Sequence, residues 1–336
     1  MTNDKILLAH GAGGKLSAEL IQKIFLPVFD NEILNGLEDS AVFECESGKL
    51  DFTTDSFVVK PLFFPGGDIG RLSICGTVND LSVMGATPLY LSVSFIIEEG
   101  FSLNDLEKIA HSMKTTAKEA GISIVAGDTK VVERGAADNL YVTTAGVGKI
   151  ADGINLSCSN AAPGQVVIIN GYIGDHEMAV LLARGEFSLH SEIKSDCAPL
   201  NGLVEAILKT SGKVSCMRDP TRGGLATVLN EVAEASGVGI IVDEDLIPVR
   251  QEVKSICDLL GFDPLYLANE GKIVVFADEN DADIIISAMK KHPLGKNTAI
   301  IGRVVEEPKC KVLLETRIKG HRVLGLLSGE QFPRIC

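Results

Sequence analysis

The sequence is poor in several features that mark other classes of protein. Tryptophan is absent, and aromatic residues make up only 5% of the 336 residues. The eight cysteines form no C-x-x-C pair and show no repeated short spacing, which argues against a zinc site and a disulfide framework. No apolar run approaches the length needed to cross a bilayer. We therefore expect a cytoplasmic protein with no membrane partner.

Basic residues are also few. The chain has 31 lysines and arginines against 45 aspartates and glutamates, which gives a formal net charge of -14. This excess of negative charge opposes nonspecific binding to phosphate backbones and anionic lipids, so we expect no nucleic-acid partner. Clusters of carboxylates are instead suited to Mg²⁺, and bound Mg²⁺ attracts nucleotide phosphates.

The abundant residues indicate a mixed fold. Apolar residues make up 46% of the chain and glycine occupies 34 positions, which suits tight turns and close packing of helices on sheets. A single core rarely keeps growing at this length, so we expect two domains. Periodicity predicts strands at 51–59, 89–98, 139–150, 166–170, 240–243 and 273–277, and helices at 67–85, 102–120, 175–184, 221–236 and 281–291.

A polar stretch divides these elements into two groups. Residues 152–164 are small and polar and contain a Pro-Gly pair, which is typical of a linker. We predict an N-terminal α+β domain over residues 1–153, a C-terminal α/β domain over 154–327 and a flexible tail over 328–336.

The predicted tail carries Cys336 as its last residue. Pro333 stiffens the approach to this cysteine, and we expect its thiol to be able to enter a pocket. Prenylation is excluded because it requires the cysteine fourth from the end. A role in chemistry and an uninvolved thiol on a frayed end both remain open from the residues alone.

Glycines concentrate near the start of the sequence. His10, Gly11, Gly13 and Gly14 lie in the segment HGAGGK, where main-chain N–H groups can converge on an anion. The segment does not have the spacing of a P-loop or a Rossmann motif. Its residues are therefore equally compatible with a phosphate-binding loop and with a flexible turn before a helix at 16–25.

Four aspartates share similar surroundings of small residues. They are Asp39, Asp55, Asp80 and Asp128, each beside serine, threonine, glycine or asparagine. An ionised carboxylate close to apolar strands is costly unless it is paired or binds a cation, so the group predicts a metal site. Taken singly, each aspartate is more often a turn residue or a helix cap than a metal ligand.

The second half of the chain has its own polar motif. Asp219, Gly223 and Gly224 lie in RDPTRGGL, where two arginines and the start of a helix are suited to binding an anion. An N-cap at Asp219 with proline in the first turn is the structural alternative, and both can hold together. Glu270 precedes a predicted strand and is either a general base or a solvated acid on a loop.

These motifs together resemble a known family. They are HGAGG at 10–14, the segment TTDSFVVKPLFFPGGDIGRLSICGTVNDLSVMGA at 53–86, AGDTKVV at 126–132, RDPTRGGLA at 218–226 and the final PRIC. Through them the chain resembles the HypE family of hydrogenase maturation proteins. That family lies in the superfamily of aminoimidazole ribonucleotide synthetase and selenophosphate synthetase. The reactive cysteine or selenocysteine that selenophosphate synthetases carry in the glycine-rich segment is absent from residues 10–14.

The resemblance implies a two-domain, PurM-like architecture that forms a homodimer through the N-terminal sheet. It also implies that ATP and Mg²⁺ bind between the domains, with the glycine-rich loop closing over the nucleotide. The implied metal and phosphate ligands are Asp39, Asp55, Asp80 and Asp128, and Asp219 and the glycines that follow it face the same cleft. Lys130 and Glu270 are the implied groups for phosphate handling or proton removal, and their two roles are not separable from sequence.

The resemblance further implies the reaction and its partners. The substrate is the chain's own Cys336 after the carbamoyltransferase HypF has carbamoylated it, and a HypC–HypD complex receives the nitrile. We therefore expect an ATP-dependent dehydration of the S-carboxamide to S-cyanate. Two rival hypotheses are an enzyme of the same superfamily that acts on a small amine or amide, and a noncatalytic carrier of a group on the thiol.

Overall fold

The computed structural model describes residues 14–29, 34–45, 48–185, 189, 191–210, 212–327 and 332–336. The helices are α1 Lys15–Leu20, α2 Leu26–Phe29, α3 Ile69–Val83, α4 Leu103–Ala120, α5 Asp175–Ala183, α6 Asn201–Leu208, α7 Gly224–Ser236, α8 Gln251–Leu260 and α9 Ala282–Lys291. The strands are β1 Ala41–Cys45, β2 Gly48–Phe57, β3 Phe63–Phe64, β4 Gly67–Asp68, β5 Ala86–Glu98, β6 Ser123–Val132, β7 Leu140–Ile150, β8 Gln165–Ile169, β9 Val214–Arg218, β10 Gly239–Asp243, β11 Val274–Asp278, β12 Ala299–Val305, β13 Lys311–Glu315 and β14 His321–Val323. Within these described ranges, no helix has both the length and the apolar character needed to cross a membrane.

The first sheet has the strand order β1-β2-β7-β5-β6. In this sheet the β5–β6 pair is parallel, whereas the β1–β2, β2–β7 and β5–β7 pairs are antiparallel. Helices α3 and α4 pack on one face and bury it, while the opposite face stays open. Because one face is buried and the other is not, buried and exposed residues alternate along β2, β5 and β7.

The ends of α3 and α4 follow from their capping residues. The Asp68 carboxylate accepts hydrogen bonds from the N–H groups of Gly70 and Arg71 at 2.7 and 3.0 Å, which starts α3. At the start of α4, the Ser102 hydroxyl oxygen accepts a hydrogen bond from the Asp105 N–H at 3.3 Å. Gly121 ends α4 in the left-handed conformation.

The second sheet has the order β14-β13-β10-β12-β8-β11-β9. Helix α7 covers one of its faces and helices α6 and α9 cover the other. Along β8, Val167 and Ile169 face α7, whereas Val166 and Ile168 face α6 and α9. A strand buried on both faces requires an unbroken apolar run, which is what residues 166–169 provide.

The two sheets are held together through α3. The Asn79 side chain donates to the Ala198 carbonyl at 3.2 Å, and its amide oxygen accepts from the Leu200 N–H at 2.8 Å. Arg71 donates from Nε to the Cys197 carbonyl at 2.8 Å. Asn79 is almost fully buried, so helix α3, which packs on the first sheet, also fixes the loop that leads into α6.

One sequence-based expectation about local structure is wrong, and one strand was not predicted. Helix α7 begins at Gly224 rather than at 221, so Asp219 is not its N-cap. Gly223 and Gly224 both have positive φ, and a Cβ on Gly224 would lie 2.6 Å from the Leu267 carbonyl oxygen. The glycine pair therefore makes a tight left-handed entry that delays the helix. Strand β6 was not predicted as a strand at all.

Candidate functional site

Strand β2 and helix α3 present a first set of polar side chains to each other. Thr53 and Asp55 lie two residues apart on β2, so they point to the same face of the sheet. Thr77 and Asp80 lie three residues apart on α3 and face that strand. The Thr53 hydroxyl donates to Asp80 Oδ2 at 3.0 Å, and the Thr77 hydroxyl lies 3.4 Å from Asp55 Oδ2. Asp55 and Asp80 are thus held side by side.

Asp39 joins this set from the loop that precedes β1. Its carbonyl oxygen accepts from the Thr53 hydroxyl at 3.2 Å, which ties the loop to β2. Its carboxylate forms an ion pair with Arg218 Nε at 2.7 Å, and Arg218 also pairs with Glu231 at 2.8 Å. Arg218 ends β9, so this ion pair links the two domains at the edge of the cleft.

The second domain adds Asp219 and Glu270 to the same cleft. Asn269 holds their two loops together, since its side-chain and main-chain N–H groups both donate to the Pro220 carbonyl at 3.0 Å. The Asn79 amide also lies 3.4 Å from the Glu270 carbonyl oxygen. Asp219 Oδ2 and Glu270 Oε1 are buried and make no hydrogen bond within the part of the chain that the structure describes. Buried oxygens without a donor mark a place where a cation or a donor belongs.

Burial raises the pKa values of all five acids in the cleft. Burial raises the pKa of Asp39, Asp80 and Glu270 well above their usual ranges, and it raises the pKa of Asp219 to about 6. Asp55, Asp219 and Asp39 add to the effect on Asp80 through charge repulsion. Burial also raises the pKa of Asp55, and the Arg222 guanidinium opposes that rise. The cluster is therefore short of positive charge.

The final residues 332–336 pack into this cleft as an extra extended segment. The Val58 N–H donates to the Cys336 main-chain oxygen and the Lys60 N–H donates to the Arg334 carbonyl, both at 3.1 Å. The pairing is antiparallel, because the partner numbers rise along one segment and fall along the other. In return, Arg334 Nε donates to the Val58 carbonyl at 2.8 Å.

Helix α5 of the second domain holds the other side of this segment. Arg184 donates to the carbonyl groups of Pro333 and Arg334, the latter at 2.9 Å. His176 Nε2 lies 3.0 Å from the Ile335 carbonyl oxygen. The Ile335 side chain is only 5% exposed and belongs to the core under the first sheet. The tail is therefore bound by both domains, with its last apolar side chain used as an anchor.

The docked tail brings the Cys336 thiol to the acidic cluster. Burial raises the pKa of this thiol to about 12, with Arg222 acting against the rise and Glu270 and Asp55 adding to it. Conversely, Cys336 is the largest influence that raises the pKa of Arg222, followed by Asp55 and Glu270. The sulfur thus shares one pocket with a guanidinium and at least two carboxyl groups.

Two predicted site residues, Asp128 and Lys130, lie away from the cleft. Asp128 on β6 lies opposite Ser94 on β5, which lies opposite Thr143 on β7, which in turn lies opposite Ser56 on β2. Asp128 is therefore three strand spacings, roughly 14 Å, from β2. It shares its face with Ser56, whose neighbour Asp55 points to the opposite face. Lys130 donates to Asp128 at 3.2 Å and lowers the pKa of that carboxyl, and both side chains are exposed. Within one chain, Asp128 and Lys130 do not face the cleft.

The glycine-rich segment is described only from Gly14 onward. His10, Gly11 and Gly13 lie outside the described residues. A Cβ on Gly14 would lie 2.5 Å from the Leu327 carbonyl oxygen, and the Lys15 N–H donates to that oxygen at 2.9 Å. The end of the glycine-rich segment is therefore packed against the residue that precedes the predicted tail.

Several functional contacts were not assigned from the sequence. Arg222 was noted only as part of a motif, and its position two residues before Gly224 was the available signal. His176 lies on α5 and Arg184 directly follows that helix, with no motif around either residue, so their contacts with the tail depend on the fold alone. No sequence pattern pointed to them.

The cleft residues fit a hydrated magnesium ion better than a fully protein-ligated metal. Within the described ranges, no three acidic, histidine or cysteine side chains form a group able to hold a metal ion. Mg²⁺ that carries phosphate usually retains water and takes only one or two carboxylates from the protein. The paired Asp55 and Asp80 and the donor-free oxygens of Asp219 and Glu270 meet that requirement.

Family models match both halves of the chain. "AIR synthase related protein, N-terminal domain" matches residues 37–150, and "AIR synthase related protein, C-terminal domain" matches residues 162–315. Fold and cleft thus define a two-domain protein of the AIR synthase related class. The expected α+β and α/β architecture of the PurM type is confirmed.

More similar relatives show which family within this class the chain belongs to. Carbamoyl dehydratase HypE of Cupriavidus necator is 49% identical over 333 residues, which cover 99% of this chain and 95% of that protein. A crystal structure of a HypE–HypF complex gives a TM-score of 0.87 at 49% identity, covering 92% of this chain and 99% of that one. A crystal structure of HypE in complex with ATP gives 0.83 at 44% identity, covering 99% and 100%. The chain belongs to the HypE family of carbamoyl dehydratases, as its motifs predicted.

Proposed function

We propose that this chain dehydrates an S-carboxamide on its own Cys336 to an S-cyanate, with conversion of ATP to ADP and phosphate. The observation that carries the proposal is the docked tail, which places the Cys336 sulfur beside Arg222 and within the acidic cluster. A substrate group attached to that sulfur lies among groups that exchange protons and hold charge. The S-cyanate then supplies the cyanide ligand used in maturation of [NiFe]-hydrogenase.

The charge of the cleft supports a site for ATP and Mg²⁺. Asp55 and Asp80 would hold the ion with one carboxylate each. Asp39, paired with Arg218, and the donor-free oxygen of Asp219 lie beside them. The start of α7 and Arg222 offer positive potential for phosphate, with Gly223 and Gly224 allowing close approach. When bound, Mg-ATP supplies the phosphoryl group that turns the carboxamide oxygen into a leaving group.

The protein's own groups account for the remaining chemistry. Overall, the carboxamide nitrogen loses two protons, the carbon–oxygen bond breaks, and the oxygen departs as part of phosphate. Glu270 is the proposed proton acceptor, because burial raises its pKa well above the usual range and makes the carboxylate a stronger base. Arg222 is the cation that acts on the Cys336 thiol, and we propose that it stabilises the negative charge of the departing phosphate.

A second copy of the chain is the proposed partner for the open face of the first sheet. That face carries Phe52, Tyr90 and Ile96 at 44%, 52% and 43% exposure. Exposed apolar residues on one sheet face indicate an interface. Asp128 and Lys130 lie on the same face, so we propose that they reach a nucleotide only in such a homodimer, where two copies meet.

If the open face of the first sheet forms the homodimer, the substitution Phe52→Asp should separate the two copies. A carboxylate on the open face would have to be buried against the second copy, so the dimer should dissociate. Light scattering should give about twice 35.7 kDa for the wild type and a single chain mass for the variant. Leu103→Asp is the matched control, since Leu103 is 83% exposed on α4 and away from this face, and it should remain dimeric. A dimeric Phe52→Asp variant contradicts the proposed interface.

Further parts of the proposal concern partners and place. Carbamoyl transfer to Cys336 is assigned to HypF, and transfer of the nitrile to a HypC–HypD complex. The free thiols of the seven cysteines that the structure describes support a cytoplasmic setting. We also propose that residues 1–153 and 154–327 act as the two domains and that 328–336 form a movable tail.

Mass spectrometry of the C-terminal peptide tests the reaction. Carbamoylated protein incubated with Mg-ATP should lose one water, about 18 Da, from the peptide that contains Cys336, and release ADP and phosphate in equal amount. Protein without ATP is the control and should keep its full mass. If the protein keeps its carboxamide even when ATP is present, the noncatalytic carrier is favoured. If a variant without residues 332–336 still converts a free small amide, the rival enzyme is favoured.

A further inference from the structure

His176 makes a hydrogen bond from the second domain to the tail backbone directly before the reacting residue. It lies in the first turn of α5, and its Nε2 is 3.0 Å from the carbonyl oxygen of Ile335, the residue before Cys336. From the first domain, the nearest main-chain contact is the Val58 N–H on the Cys336 oxygen at 3.1 Å. The backbone on either side of the Cys336 α-carbon is therefore held by one domain each.

The hydrogen bonds of His176 define its tautomer. A carbonyl oxygen only accepts, so Nε2 must carry the proton and donate to Ile335. Nδ1 is then the acceptor for the Ser195 hydroxyl at 2.8 Å. The Ser195 oxygen in turn accepts from the Cys197 N–H at 3.1 Å, which fixes its direction. Burial lowers the pKa of His176 despite the nearby Asp196, so the ring stays neutral.

The surroundings of the ring leave it little freedom. His176 is completely buried, and the Phe64 ring meets it edge to face with centroids 5.5 Å apart and planes at 87°. The Ser195 N–H donates to the Pro65 carbonyl at 2.8 Å, so the residue that orients the imidazole is tied to the first domain. An orientation fixed in this way is typical of a group that positions another.

We propose that His176, oriented by Ser195, is a positioning residue that holds the Ile335 carbonyl and so places the Cys336 sulfur against Arg222 and Glu270 for dehydration. This inference rests on the proposed function. His176 does not touch the reacting atoms itself. It acts through the tail backbone, and its hydrogen bond is made only when the tail is docked.

Alkylation of Cys336 by iodoacetamide measures docking without any chemistry of the cleft. Only thiolate reacts, and in the docked, half-buried tail the pKa of the thiol is raised to about 12, so the reaction chiefly reports the undocked fraction. His176→Leu removes the donor to Ile335 and should raise the alkylation rate of the C-terminal peptide about 5-fold, the effect of losing one ordinary hydrogen bond. His176→Gln restores an N–H donor and should stay within about 2-fold of the wild type.

The same variants should separate positioning from nucleotide binding. In single turnover of carbamoylated protein, His176→Leu should slow the loss of water about 5- to 10-fold while the KM for ATP stays unchanged, and His176→Gln should recover most of the rate. His292→Leu is the matched control, because His292 is a half-buried histidine in the same domain that caps a turn at Leu294. It should match the wild type in both measurements.

The outcomes decide the inference in either direction. Equal alkylation rates in wild type and His176→Leu overturn it, as does a His176→Gln variant that alkylates as fast as His176→Leu. An increase of the same size in His292→Leu also overturns it. If His176→Leu does not fold, Ser195→Ala takes its place and should raise alkylation about 2-fold through loss of the orienting bond. If the wild type loses no water from its carbamoylated tail, the proposed function fails, and alkylation of unmodified protein still decides the role of His176.

Discussion

Replacing Cys336 by alanine should abolish formation of the S-cyanate completely while leaving the fold and nucleotide binding in place. The sulfur is the atom to which the carboxamide is attached, so its loss removes the substrate and not a ligand of the cleft. The anchor Ile335 and the main-chain bonds of Val58 and Lys60 do not require the thiol. We expect nucleotide affinity within about 3-fold of the wild type, because no proposed metal or phosphate ligand is changed.

Cys310→Ala is the matched control for this variant. Cys310 is a half-buried free cysteine in the second domain, before β13, and should be dispensable. The measurement is cyanate formed per chain after incubation with a carbamoyl-transfer system and ATP, together with nucleotide titration and a thermal melt. Cyanate formed by Cys336→Ala at the wild-type level contradicts the tail as substrate. Loss of folding in that variant contradicts a tail that is free to move.

The second large effect is expected for Asp80→Asn, which should weaken binding of Mg-nucleotide by at least about 10-fold. The substitution keeps an oxygen for the Thr53 hydroxyl and removes one negative charge from a cluster that lacks cations. Loss of a carboxylate next to the proposed ion removes a ligand of the kind that Mg²⁺ prefers. Calorimetric titration with Mg-ADP measures the change, and Asp105→Asn on exposed α4 should have no effect.

The same variant should be more stable than the wild type when no nucleotide is present. The folded pKa of Asp80 lies above its unfolded value, so between those two values the folded protein binds more protons and loses stability as pH rises. Asparagine cannot ionise and escapes this loss. At pH 7 we expect a gain in the free energy of unfolding, which shrinks as pH falls toward 4. Unchanged Mg-ADP affinity together with unchanged stability removes Asp80 from the site.

Much of the fold could be predicted because its elements have one buried face. The strands β2, β5 and β7 alternate between the core under α3 and the open face, and that alternation is visible in the sequence. Strand β6 is exposed along nearly its whole length, so it shows no such alternation and was missed. The start of α7 was missed because the backbone at Gly223 and Gly224 overrides the proline signal at 220.

The cleft could be predicted in part for a related reason. Acids beside apolar strands are conspicuous in a sequence, and Asp39, Asp55, Asp80, Asp219 and Glu270 do come together in the structure. Asp128 has similar neighbours in sequence but lies on the other face. Which face a strand residue takes depends on register, and the β5–β6 pairing shifts by one residue between Leu91 and Ser92. Such a shift is set by tertiary packing and leaves no local trace.

The antiparallel pairing of the tail with residues 58–60 joins reactant and catalyst in one molecule. A short tether keeps the reacting group at an effective concentration of about a millimolar or more, so the cleft needs no affinity for a diffusing compound. Each chain owns a single sulfur of this kind, and one loading therefore yields one product. The rate of S-cyanate formation then depends on the amount of this protein and on how fast other proteins load and unload Cys336.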